Sequence, residues 1–103
     1  MPPSIPPGES PADYVRRASA EFDAGRTEAA IAVMETMLPR FPWGSAEAWW
    51  LFGQLLEANS PGRDVRRALE FYSRLVSEYP QSQLAQDAQR RIALIERFFF
   101  NIR

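Results

Sequence analysis

Few of the side chains that carry most protein chemistry occur in this chain. Of its 103 residues none is His, Cys or Lys; the 12 basic residues are all Arg, against 13 acidic ones and a formal net charge of −1. Without imidazole or thiol there is no His general base, no Cys nucleophile and no soft metal ligand. Carboxylates remain, and Glu21 with Asp23 and Asp13 with Glu9 stand close enough in sequence to be paired for acid–base work. Nothing is placed to organise them. The five glycines (Gly8, Gly25, Gly44, Gly53, Gly62) are scattered, so no phosphate-cradling loop forms. These acids are expected on solvated helix faces, in a protein that is not an enzyme and takes no metal and no cofactor.

The arginine pairs Arg66-Arg67 and Arg90-Arg91 could meet phosphates. A polyanion binder needs excess positive charge and stacking aromatics interleaved with it, and neither is present. No nucleic acid is expected; the arginines should instead pair with Asp64, Glu70 and Asp87. No apolar run approaches the ~20 residues that cross a bilayer, so no direct membrane insertion is expected. The opening Met1–Ser10 lacks the basic and apolar regions of a signal peptide, which implies a cytosolic chain or one whose export segment is absent.

The elements that position these residues read as helices throughout. Residues 1–10 hold four of the nine prolines and are expected to be a flexible, Pro-rich lead-in. Ser10-Pro11, with Asp13 completing a capping interaction, opens a helix to about Ala24, stopped by Gly25. A second helix runs from Thr27 to Leu38, ended by Pro39 and Pro42. A third follows Ser45 to about Ala58, a fourth begins at the cap Asp64 and stops by Tyr79-Pro80, and a fifth runs from Ser82 to about Phe99. No alternating strand pattern competes. With no disulfide available, the 46% hydrophobic residues must supply the core.

The helices repeat. Shifting the second forward by 38 residues puts Ala30-Ile31 on Ala68-Leu69, Met34 on Tyr72, Met37-Leu38 on Leu75-Val76 and Phe41-Pro42 on Tyr79-Pro80. The first and third superpose at 35, Tyr14 on Trp49, Val15 on Trp50 and Ala18 on Gly53, the difference being an insertion at Ser60-Pro61-Gly62. The small residues Ala18, Gly53, Ala30 and Ala68 would let helices approach closely, with Trp49, Phe52, Phe71, Tyr72 and Leu75 filling the space around the crossings.

This pattern resembles the tetratricopeptide repeat (TPR), whose signature runs Trp-x2-Leu-Gly-x2-Tyr, Ala-x3-Phe and Pro. The second copy reads Trp49-x2-Phe52-Gly53-x2-Leu56, Ala68-x3-Tyr72 and Pro80. The first is looser: Tyr14, Ala18, Gly25, Ala30-x3-Met34 and Pro42, with Arg17 and Glu21 where apolar residues are usual. The resemblance implies an all-α fold, a right-handed α-α superhelix of two TPR helix pairs plus a C-terminal capping helix. Repeat 1 would span 11–44, repeat 2 45–82 and the capping helix 83–103, as one domain over 11–103. Glu78-Tyr79-Pro80-x-Ser82-x-x-Ala85 also resembles the links of bacterial cell-envelope repeat proteins, among them outer-membrane assembly lipoproteins of the BamD type. That likeness favours the periplasm or cell envelope over the cytoplasm, although no Cys is present to carry a lipid.

In the TPR family the first helix of each pair lines a concave groove that binds peptides. Projected on this chain, the resemblance makes Val15, Ser19 and Phe22, then Trp50, Gln54 and Glu57, then Gln89, Ala93, Arg97 and Phe100 the groove-facing set. The partner-binding residues are taken as Val15, Phe22, Trp50, Gln54, Glu57, Arg97 and Phe100. Trp49 and Trp50 point ~100° apart on a helix, so with Trp49 in the core Trp50 is either an exposed anchor or packs under the N-terminal segment or the fifth helix. Val15, Ser19, Trp50 and Gln54 stand where a carboxylate clamp would need Lys and Asn, which disfavours binding of a chaperone tail.

The fifth helix carries an apolar stripe at Ala85, Ala88, Ile92, Ile95, Phe99 and Ile102 that should cover the fourth. Leu94 and Phe98 widen it, and three successive phenylalanines cannot face one neighbour. Phe98, Phe99, Phe100 and Ile102 are therefore candidates for a homodimer interface, unless that end folds back on its own chain or stays exposed. The expected function is a protein–protein interaction scaffold whose aromatic groove takes a protein or peptide ligand, with a place in cell-envelope assembly. The alternative is a structural module that homodimerises through its apolar last helix.

Overall fold

The computed structural model describes residues 9–100, with the side chain of Phe100 excepted. Within these residues every regular element is helical: α1 (Pro11–Asp23), α2 (Thr27–Arg40), α3 (Ala46–Glu57), α4 (Val65–Glu78) and α5 (Gln83–Ile95), followed by a π-helical turn over Glu96–Phe100. Of the Pro-rich lead-in, residues 1–8 lie outside the described residues, as does Ile102. Glu9 and Ser10 are anchored, for the Glu9 carboxylate accepts from the Tyr14 hydroxyl at 2.9 Å and pairs with Arg40 at 2.6 Å.

Local chemistry sets the helix ends. Ser45, Asp64 and Ser82 cap α3, α4 and α5, their side-chain oxygens accepting from the amides of Ala48, Arg67 and Leu84 at 3.0, 3.1 and 3.1 Å. After α1, Gly25 takes a left-handed φ of +82°. The Arg26 amide then reaches back to the Glu21 carbonyl at 2.8 Å and the Gly25 amide to that of Phe22 at 2.9 Å, the paired bonds of a Schellman stop.

Three local expectations are corrected. Ser10 does not cap α1 with its side chain; its hydroxyl donates to the Asp13 carboxylate at 3.2 Å instead. Pro39 does not end α2 but lies inside its last turn, where a missing N–H costs one bond, and the Phe41 amide resumes the pattern by donating to the Met37 carbonyl at 2.8 Å. Phe99 does not continue the stripe of α5. The π turn holds more residues than an α turn and rotates Phe99 off that face, leaving it 49% exposed with the Arg63 guanidinium over its ring.

Each helix packs on its successor, and α1, α3 and α5 also lie side by side. Helix α3 contacts all four others and is the most buried, with Ala48, Trp49, Phe52, Leu55 and Leu56 closed to solvent. Phe52 stacks on Phe71 with ring centroids 4.1 Å apart, and Trp49 leans on the same ring at 5.3 Å. At Gly53 a Cβ would fall 2.5 Å from the Tyr72 ring, so the α3–α4 approach needs the missing side chain. Ala18, Ala30 and Ala68 are fully buried, as their small size predicts.

The two helix pairs are alike in detail. The breaks after α2 and α4 share their backbone geometry, with φ, ψ of −135°, 71° at Phe41 and −131°, 55° at Tyr79. Arg40 donates to the Tyr14 hydroxyl at 2.8 Å in the first pair. At the superposed positions of the second, the Trp49 indole N–H donates to Glu78 at 3.0 Å, the same clasp with donor and acceptor exchanged.

Candidate functional site

Along α3 the 4,3 spacing of Trp50, Gln54 and Glu57 keeps these side chains on one helix face. Phe22 from α1, Ala58, Tyr72 from α4 and Arg91 from α5 complete a cleft of about 320 Å³. Trp49 turns into the core, whereas Trp50 is half-buried, its ring 5.4 Å from that of Tyr72. Trp50 thus packs on one side and lines the cleft with the other.

The polar end of the cleft is a closed network. Tyr72 donates its hydroxyl to the Glu57 carboxylate, and Arg91 grips both oxygens of that carboxylate, through Nε at 3.2 Å and through Nη2. Burial, then the bond to Glu57, push the Tyr72 phenol far above its ordinary ionisation range. The hydrogen bond to Glu57 likewise raises Arg91, against the opposing pull of burial. Gln54 differs from its neighbours: it is half-buried, and its carboxamide makes no hydrogen bond among the described residues.

The structure therefore brings together Phe22, Trp50, Gln54 and Glu57. Val15 lines a different hollow, of about 390 Å³, with Pro11, Ala12 and Glu47 among its neighbours. Arg97 is exposed in the π turn, outside the cleft lining, and the Phe100 side chain lies outside the described residues. Ser19 is half-buried, and Gln89 and Ala93 are exposed. Tyr72 and Arg91 were missed as cleft residues. Their signal is Glu57 itself, a carboxylate at the end of an apolar helix that must find a donor and a cation. Missed too was Trp43, 59% exposed beside Phe41, whose carbonyl accepts from the Tyr79 hydroxyl at 2.6 Å.

The other candidate chemistry is dispersed into ion pairs. Glu21 binds Arg26 and Asp13 binds Arg16, so neither forms the carboxylate pair that spacing allowed. Arg90 pairs with Asp87 as expected, but Arg67 reaches from α4 to Glu35 on α2, at 2.7 Å through Nη2, rather than to Asp64 or Glu70. Among the described residues no group of His, Cys, Asp or Glu could hold a metal ion, and no helix is long and apolar enough to cross a membrane. At the far end of α5 a second apolar feature is exposed: Leu94 at 38%, Phe98 at 72% and Phe99.

No family model matches the chain, and no solved structure does. It is similar to an uncharacterized protein of Treponema pallidum (strain Nichols), with 32% identity over 97 residues. That match takes in 92% of this chain and 19% of the relative, so the chain spans about a fifth of the protein it resembles.

Proposed function

We propose that this chain is a non-catalytic helical-repeat module of the tetratricopeptide type, which holds a peptide or protein partner in the cleft between α1, α3 and α5. The observation that carries this reading is the cleft itself, where Phe22, Trp50 and Gln54 offer apolar and amide surface at the middle of the row of first helices. The matched clasps Tyr14–Arg40 and Trp49–Glu78 and the shared breaks at Phe41 and Tyr79 support a duplicated helix pair. A half-buried aromatic ring with a polar rim is the kind of anchor that dominates binding energy at protein interfaces. A place in cell-envelope assembly, in the periplasm or envelope, is part of the proposal and rests on the Tyr79-Pro80-x-Ser82 link.

Capture on immobilised wild type and on Trp50→Ala tests it. Partners kept by the first and lost by the second, with helicity unchanged by circular dichroism, support the cleft. Identical capture by both removes it and leaves the fold in place.

The exposed Leu94, Phe98 and Phe99 favour a second reading, self-association through the end of α5. The two readings use different surfaces, and sedimentation separates them.

A further inference from the structure

The chemistry of the cleft says more about its occupant than its shape does. Resting on the cleft reading above, we propose that it selects an uncharged, extended stretch of polypeptide. One large apolar side chain seats against Trp50 and Phe22, and the backbone N–H and C=O of the residue after it are hydrogen-bonded by Gln54.

Three observations lead there. The charges in the cleft are already spent on each other, since Arg91 and the Tyr72 hydroxyl together saturate Glu57. An acidic group that took Arg91 from Glu57 would strand a carboxylate whose side chain is only 15% exposed. A neutral ligand leaves the network intact. Gln54, by contrast, has both its amide donors and its acceptor unused among the described residues. A carboxamide presents one donor and one acceptor side by side, the complement of the N–H and C=O that a single residue of an extended chain turns to one side. A ligand helix could not answer it, because helical N–H and C=O groups are occupied internally, whereas an extended chain leaves them free. The volume, about 320 Å³, suits one large side chain with its flanking backbone.

The test is a titration of the full chain, followed by 1H–15N NMR, with the blocked pentapeptide acetyl-Ala-Ala-Phe-Ala-Ala-amide. Its comparators carry Asp or Arg in place of the residues beside Phe, or an ester in place of the amide following Phe. The neutral peptide is expected to shift the Trp50 indole and Gln54 side-chain resonances, with an affinity that salt leaves nearly unchanged. Gln54→Leu should weaken it about tenfold and the ester about threefold, as loss of two hydrogen bonds and of one implies. The ester is read on wild type, so the result does not depend on how the variant folds. Equal binding of amide and ester, together with an unaffected Gln54→Leu, would overturn the amide grip while leaving the cleft a binding site. Tighter, salt-sensitive binding of a charged comparator would overturn the preference for a neutral ligand, again with the cleft intact. If no peptide moves Trp50 or Gln54, this inference and the cleft reading fall together.

Discussion

Tyr72 ties the core to the cleft. Its ring fills the space that Gly53 leaves open and backs Trp50, while its hydroxyl reaches the Glu57 carboxylate held by Arg91. Removing the hydroxyl leaves Glu57 with Arg91 alone, so Tyr72→Phe should cost about 1–2 kcal/mol in urea unfolding near neutral pH. The pH dependence follows from the raised ionisation range. The folded chain keeps this phenol protonated where an unfolded tyrosine, with an ordinary value near 10, has lost its proton. The unfolded state then binds fewer protons, so stability that is fully present below pH 10 falls as pH rises above it. One such group contributes at most about 1.4 kcal/mol per pH unit. Denaturant midpoints from pH 9 to 11 should therefore fall less steeply for Tyr72→Phe than for wild type. Parallel curves would mean that the phenol titrates alike in both states. Tyr72 was legible as a core ring because Met34 falls on it at the 38-residue shift. Its second role was not, because the bonds to Glu57 and on to Arg91 join residues 15 and 34 positions apart, beyond the reach of local spacing.

At the scale of the helix, the sequence marks its ends well where one side chain does the work. Gly25, Ser45, Asp64 and Ser82 each act within a few residues of themselves, and each stops or starts a helix where its chemistry requires. The sequence misleads where the outcome depends on how many backbone bonds a turn can lose or how tightly it winds, as at Pro39 and in the turn Glu96–Phe100. The face of α3 was readable from 3- and 4-residue spacing. The separation of Val15 from Phe22 was not, since seven residues keep a common face yet move ~10 Å along the axis, farther than this small cleft reaches. The repeat also exposes an imperfection. Asp64 caps α4, while Arg26, its counterpart at the 38-residue shift, gives α2 no side-chain cap. Arg26→Ser supplies an acceptor for the orphan amides and should gain about 1 kcal/mol, less a few tenths for the exposed pair with Glu21. In a domain of this size that raises Tm by roughly 3–5 °C. An unchanged or lower Tm would mean that the ion pair matters more than the cap.

For the whole molecule, the two apolar features differ in what they can do alone. The cleft is backed on several sides by α1, α3, α4 and α5 and leaves room for a small occupant. The end of α5 is open, with Phe98 72% exposed beside Leu94 and Phe99. A twofold contact between copies would bury each of these side chains twice. Fully burying a large apolar side chain gains about 1.5–3 kcal/mol, and these are already partly covered, so six of them give roughly 5–10 kcal/mol. Association itself costs about 4–15 kcal/mol in lost freedom. If copies associate through this edge, that balance puts the contact in a weak, concentration-dependent range rather than that of an obligate dimer. Sedimentation velocity from micromolar to near-millimolar chain should then show a reversible rise in mean mass for wild type. Phe98→Glu places a charge on the most exposed ring of this edge and should hold the chain monomeric throughout. Because Phe98 touches little of its own fold, the variant should unfold at nearly the wild-type denaturant midpoint. Wild type that stays monomeric over the whole range would rule out this edge and leave the cleft as the proposed contact surface.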